Sequence, residues 1–126
     1  MQPTRQPHYP EQAPIDAYGN GGFRFAGMSH RGSILCLPDG IYGWDVADPS
    51  ELSPEALARP LAVLGPPAVL LVGTGVGQVF PSPELRAVFD AAGIGLEAMS
   101  TGSASRTYNV LLGEGRAVAA ALIAVD

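Results

Sequence analysis

The chain has 126 residues, with seven Arg and no Lys against six Asp and six Glu, for a formal net charge of −5. That length suits one hydrophobic core, and the acidic balance argues against nucleic acid or an anionic membrane as the main partner, since both need a basic face. A single cysteine, Cys36, excludes an internal disulfide and a thiolate zinc cage. At 47% apolar and 15% charged residues, the composition is that of a globular chain. The longest apolar run, Ala117 to Val125, is nine residues, well short of the roughly 20 that span a bilayer. The first fourteen residues lack the apolar core of a signal peptide. The expectation is a soluble cytoplasmic domain.

Residues 1–14 carry four of the twelve prolines and no hydrophobic period, so they read as a flexible arm. Ile15 to Gly19 suits a short edge strand, and Phe23-Arg24-Phe25-Ala26 alternates as a half-buried strand does. Ser33 to Leu37 is continuously apolar after its serine, as in a strand covered on both faces. Pro38-Asp39-Gly40 turns the chain into an aromatic-rich strand, Ile41 to Val46. The period then becomes 3.6. Ser53 caps a helix with Pro54 at its first position and Leu57, Leu61 and Leu64 on one face, and Gly65-Pro66-Pro67 stops it.

Ala68 to Val72 reads as a fully buried strand. Ser82, Pro83 and Glu84 open a second helix that buries Leu85, Val88 and Phe89 and ends at Gly93. Ile94 to Met99 is the next strand. Gly102 to Leu112 forms a third helix, entered through Ser103 or Ser105, with Ala104, Tyr108, Leu111 and Leu112 on its inner stripe. Gly113-Glu114-Gly115 leads to a last strand, Ala117 to Val125. This order predicts a partly parallel sheet with helices packed on it and an antiparallel layer from the opening hairpins.

Two corners could carry chemistry. Gly73-Thr74-Gly75-Val76-Gly77 leaves a buried strand as a phosphate-binding loop would, with amides that can converge on an anion. However, it does not open directly into a helix, and the chain has no lysine for a P-loop. Thr101 to Arg106 lies at a helix start, where free amides and a guanidinium suit a carboxylate or phosphate. Neither Ser103 nor Ser105 has the closing glycine of a nucleophile elbow, and only His8 and His30 are available as bases, so capping is the ordinary role for these serines. Arg106 and Asn109 share a helix flank, either anchoring the neighbouring hairpin through its carbonyls or lining a pocket. Cys36 sits among Ile34, Leu35 and Leu37 and reads as an inert buried thiol. Asp39, Asp45 and Asp48 have no histidine at a metal spacing, so no metal site and no cofactor are expected.

The stretches Gly22-Phe23-Arg24-Phe25, Gly32 to Pro38, Leu70 to Gly75, Gly93 to Met99, and Arg106-Thr107-Tyr108-Asn109-Val110-Leu111 with Glu114-Gly115-Arg116 together resemble a known family. It is the domain-of-unknown-function family that includes the mitochondrial complex I (NADH dehydrogenase) alpha-subcomplex assembly factor 3 and the adipogenesis-associated Mth-type domain protein. The resemblance covers about Ile15 to Ile123. It implies a three-layer α/β fold, β + α/β/α, with a mixed central sheet and an extra N-terminal antiparallel β layer. It also implies a protein that assists assembly of a respiratory complex, with no established catalytic residues to carry over. Relatives often hold Asp and Cys where this chain has Ser100 and Ser105, which removes any acid–base or redox role at that corner.

The expectation is therefore a flexible arm over 1–14 and one α/β domain over 15–126. The function expected first is a non-enzymatic assembly or interaction factor, monomeric or homodimeric, with protein partners such as respiratory-complex subunits. The alternative is a small-molecule or anion-binding protein, or a weak enzyme, using Gly73, Thr74, Gly75, Ser103, Ser105, Arg106 and Asn109.

Overall fold

The computed structural model describes residues 6–126. Strands β1 (Ala17–Gly19), β2 (Gly22–Phe25) and β3 (Met28–Arg31) form an antiparallel sheet. Strands β4 (Ser33–Leu37), β5 (Gly40–Trp44), β6 (Val69–Gly73), β7 (Gly95–Met99) and β8 (Val118–Leu122) form a second, mixed sheet in the order β5-β4-β8-β6-β7. Helices α1 (Ala58–Val63), α2 (Pro83–Ala92) and α3 (Thr101–Gly113) complete the chain, with a 3-10 turn at Pro49–Glu51. The parallel β6–β7 and β6–β8 pairs arise from the two helical crossovers, β4 and β5 form an antiparallel hairpin, and β8 returns at the end of the chain to pair antiparallel with the other side of β4.

The central sheet is buried on both faces and divides the core in two. On one side Leu35, Leu37, Trp44, Leu70, Val72, Ala119 and Ala121 pack with Leu57 before α1 and with Leu85 and Phe89 of α2. On the other, Ile34, Cys36, Leu71, Ala120 and Leu122 pack with Ala104 and Tyr108 of α3 and with Phe23 and Phe25 of the small sheet. This is the expected three-layer arrangement. β8 is buried along its whole length, and the small side chains of Ala119, Ala120 and Ala121 leave room for close approach from either face.

Local differences from the sequence reading have local causes. β3 was not expected, because its Met-Ser-His-Arg run carries no apolar alternation. It forms because Ala26 (φ 50°) and Gly27 (φ 75°) make a two-residue turn with both residues left-handed, the geometry that matches strand twist. The first helix is shorter than its cap suggests. Ser53 Oγ does accept from the Ala56 amide at 3.0 Å, but regular helix begins only at Ala58. Pro60 has no amide hydrogen, so the Ala56 carbonyl lacks its helical donor. The Trp44 indole takes that place, donating to Ala56 O at 2.9 Å. The third helix is entered through Ser100 rather than Ser103 or Ser105, with Ser100 Oγ accepting from the Ser103 amide at 3.3 Å.

Residues 1–5 of the expected arm lie outside the described residues. Contacts with the domain begin before residue 15, a feature that a proline-rich, aperiodic stretch does not signal. The His8 amide donates to Ile41 O (2.8 Å) and the Ile41 amide donates to Tyr9 O (2.9 Å), pairing this segment with the free edge of β5. Gln12 Nε2 donates to Val118 O at 2.7 Å, and Ala13 is buried. The opposite edge, β7, has two of its carbonyls occupied by side chains: Gln78 Nε2 donates to Ala98 O at 2.8 Å, and Arg86 Nη1 reaches Leu96 O at 3.4 Å.

The N-terminal segment also brings together the chain's two histidines. The rings of His8 and His30 lie 4.4 Å apart, centroid to centroid, beside Gly43 of β5. Burial, and secondarily the neighbouring His8, hold the pKa of His30 below its ordinary 6.5, while a hydrogen bond involving the Ser33 backbone opposes the shift. The folded state therefore favours neutral His30, and the unfolded chain takes up the proton first as pH falls. This contribution to stability is complete above pH 6.5 and disappears as pH drops through the lower folded-state pKa. Urea midpoints measured from neutral pH down to about pH 5 should fall less steeply for His30→Gln than for the parent. Equal slopes would remove His30 from the acid response.

Candidate functional site

The connections leaving β6 and β7 run to opposite faces of the central sheet, through α2 and α3 respectively. Open α/β sheets commonly bind ligands in the crevice outside the strand ends at such a point. Here the crevice holds a hydrogen-bond network of the protein's own groups. A Cβ at Gly73 would lie 2.9 Å from Thr101 Cα and 3.0 Å from Leu122 Cδ2, so glycine permits the start of α3 to close against the end of β6.

Two buried threonines then tie the corner together. Thr101 Oγ1 donates to Ile123 O at 2.7 Å and accepts from the Gly75 amide at 3.0 Å. The Thr101 amide donates to Gly75 O at 2.8 Å, a geometry that places Gly75 at φ 103°, where other residues are strained. Thr74 Oγ1 lies 2.6 Å from Gly77 O and 3.1 Å from Met99 O, and it accepts from the Val79 amide at 3.0 Å. The amides of Gly75 and Val79 thus bind side-chain oxygens of the protein itself.

The remaining expected residues serve different ends. The Ser103 amide is capped by Ser100, and the buried Ser105 hydroxyl donates to Thr101 O at 2.8 Å. Arg106 is exposed, and its side chain forms neither a hydrogen bond nor an ion pair among the described residues. Asn109 acts on the backbone of Ile15: its Nδ2 donates to Ile15 O and its Oδ1 accepts from the Ile15 amide, both at 2.8 Å. One helix flank therefore carries an anchor at Asn109 and a solvated cation at Arg106. The anchor continues inward, where the Tyr108 hydroxyl donates to Ala13 O at 3.0 Å.

Tyr108 also neighbours Cys36. Burial pushes the Cys36 thiol up to about 12, only partly offset by its hydrogen bond with Tyr108, and burial together with Cys36 raises Tyr108 as well. Both groups are neutral across the physiological range, as expected for an inert thiol. No group of three or more His, Cys, Asp or Glu among the described residues could hold a metal ion.

Two further features carry no motif in the sequence. The loop after Gly75 presents large apolar side chains to solvent: Val76 is 90% exposed, Phe80 75% and Val79 43%. Its signal in the sequence is the apolar content of a glycine-rich loop. The other feature is a concavity of about 460 Å³ in the small sheet, lined in part by Arg24 and Arg31. It depends on cross-strand register with β3 and was invisible without that strand.

Residues 15–123 match the family model described as a protein of unknown function (DUF498/DUF598). An uncharacterized protein of Rhodobacter capsulatus is 40% identical over 119 residues, a match covering 94% of this chain and 90% of that one. The mouse NADH dehydrogenase [ubiquinone] 1 alpha subcomplex assembly factor 3 is 29% identical over 118 residues, 94% of this chain, which spans 64% of the mouse protein's length. A Bartonella henselae crystal structure, described as that of an outer membrane protein, has a TM-score of 0.88 at 53% identity and covers 94% of this chain and 100% of that one.

The difference between the two flank residues is measurable. Asn109→Ala leaves the Ile15 amide and carbonyl without their partner and should cost about 1–3 kcal/mol in urea titration. Arg106→Ala should stay within about 0.5 kcal/mol of the parent. A large loss with Arg106→Ala, or none with Asn109→Ala, would reverse these assignments.

Proposed function

The chain belongs to the DUF498/DUF598 family, and we propose that it acts as a non-enzymatic assembly factor that holds a protein partner on the Val76–Phe80 loop. The observation that carries this reading is the exposure of Val76, Val79 and Phe80 within five consecutive residues. Single exposed apolar side chains are ordinary, but clustered ones point to an interaction surface. The base of the loop is clamped by Thr74 and Thr101, so binding orders little additional backbone. Phe80 supplies the aromatic anchor around which interface energy commonly concentrates.

The corner chemistry favours binding over catalysis. The hydroxyls of Thr101 and Ser105 donate to backbone carbonyls, and the two histidines lie against each other, away from these hydroxyls, beside Gly43 of β5. Similarity to the mouse assembly factor supports a respiratory NADH dehydrogenase subunit as the partner. This reading places the work in the cytoplasm, on parts of that complex outside the bilayer. No helix among the described residues is long and apolar enough to cross a membrane.

The test is a deletion strain examined by native electrophoresis with an NADH dehydrogenase activity stain. Assembled complex should be lost, and it should be restored by the parent chain but not by Phe80→Ser. Full burial of a Phe side chain is worth about 1.5–3 kcal/mol, so Phe80→Ser should weaken partner binding by about ten- to a hundredfold while leaving its own melting temperature unchanged. Normal complex in the deletion strain would overturn the respiratory assignment, and full rescue by Phe80→Ser would overturn the loop.

A further inference from the structure

Register places six residues on the solvent-facing side of the small sheet. Ala17, Arg24 and Ser29 pair across the strands, as do Gly19, Gly22 and Arg31. Phe23 and Phe25, of opposite parity on β2, are buried against the core. The outer face therefore consists of two arginines among four of the smallest side chains, which leaves the concavity of about 460 Å³ open above its glycines. Gly22 cannot be larger, because a Cβ there would run into the His30 carbonyl.

Arg24 and Arg31 are diagonal neighbours across the β2–β3 ladder, a spacing of about 7–8 Å that lets two long side chains reach one group. The Arg31 guanidinium lies against the β1–β2 turn, with Nη1 3.3 Å from where a Cβ of Gly21 would sit. Neither arginine forms an ion pair among the described residues, and no Asp or Glu lines the concavity. In a chain of net charge −5, two unneutralised guanidiniums share one concave face. Guanidinium forks are suited to the paired oxygens of a phosphate.

The geometry points to a binding site on this outer face for a phosphate monoester of a small organic molecule. Arg24 and Arg31 clamp the phosphoryl group, with the Ser29 hydroxyl beside them. The organic part rests on the floor formed by Gly19 and Gly22. The volume suits such a ligand, since small-molecule sites run from about 300 to 1,000 Å³, more than a bare phosphate fills. This site is independent of the Val76–Phe80 loop and uses none of its residues.

The test is a titration of the ¹⁵N-labelled full chain with ribose 5-phosphate, inorganic phosphate and succinate, at ionic strength held constant with chloride. Ribose 5-phosphate should give saturable shifts at the amides of Gly19, Gly22 and Ser29, with an apparent Kd of about 1 mM or tighter. Inorganic phosphate should bind more weakly at the same amides, and succinate more weakly still. The double variant Arg24→Gln/Arg31→Gln should bind at least about tenfold more weakly with an unchanged melting temperature, while Arg106→Gln binds as the parent does. The site is overturned if chloride alone reproduces the shifts, if the double variant binds like the parent, or if the shifts never saturate. Tightest binding by succinate would overturn the phosphate assignment.

Discussion

The hydroxyl of Thr101 joins three parts of the chain that are distant in sequence. It donates to Ile123 at the end of β8 and accepts from Gly75 in the loop after β6, while its own backbone begins α3. Gly73 makes the approach possible by having no side chain where α3 closes on β6. A buried hydroxyl that both donates and accepts has no unmet demand. The adjacent Thr74 hydroxyl does the same for the loop that follows. The position of α3, the course of the β6–α2 loop and the end of the last strand all follow from this junction.

The same junction engages the glycine-rich segment that the sequence offers as a candidate anion site. A strand exit with Gly at alternate positions provides converging amides in either case. What decides the outcome is whether those amides meet a ligand or a side chain, and here the oxygens come from Thr74 and Thr101. Thr101 lies 26 residues beyond Gly75, so local sequence does not reveal the pairing. Asn109 and Arg106 show the same limit on a smaller scale. Their shared flank was legible from spacing, but the partner of Asn109 is the backbone of Ile15, 94 residues away.

Elements buried on both faces were readable from their apolar runs, including β4, β6 and the centre of β8. α2 was readable at both ends because Ser82 and Gly93 carry the expected cap geometries. β3 was hidden because it is stabilised by pairing and turn geometry rather than by its own hydrophobicity. α1 was overextended because a proline in a first turn is tolerated yet withholds a donor, and the compensating donor, Trp44, comes from a different strand. The family likeness captured the layers correctly, since layer order depends on the pattern of many segments and not on any one of them.

Both margins of the central sheet are engaged by parts of the chain that are not strands of it. On β5 the backbone of His8 and Tyr9 meets Ile41, and on β7 the side chains of Gln78 and Arg86 cover outward carbonyls. An unprotected margin is a template on which another extended chain can dock through its main-chain groups, whatever its sequence. Guarding both margins withdraws that indiscriminate mode of adhesion. Recognition of this sheet's surroundings then falls to side chains, so a partner must be chosen by shape and chemistry. Stacking of copies into an extended sheet is not favoured by such margins.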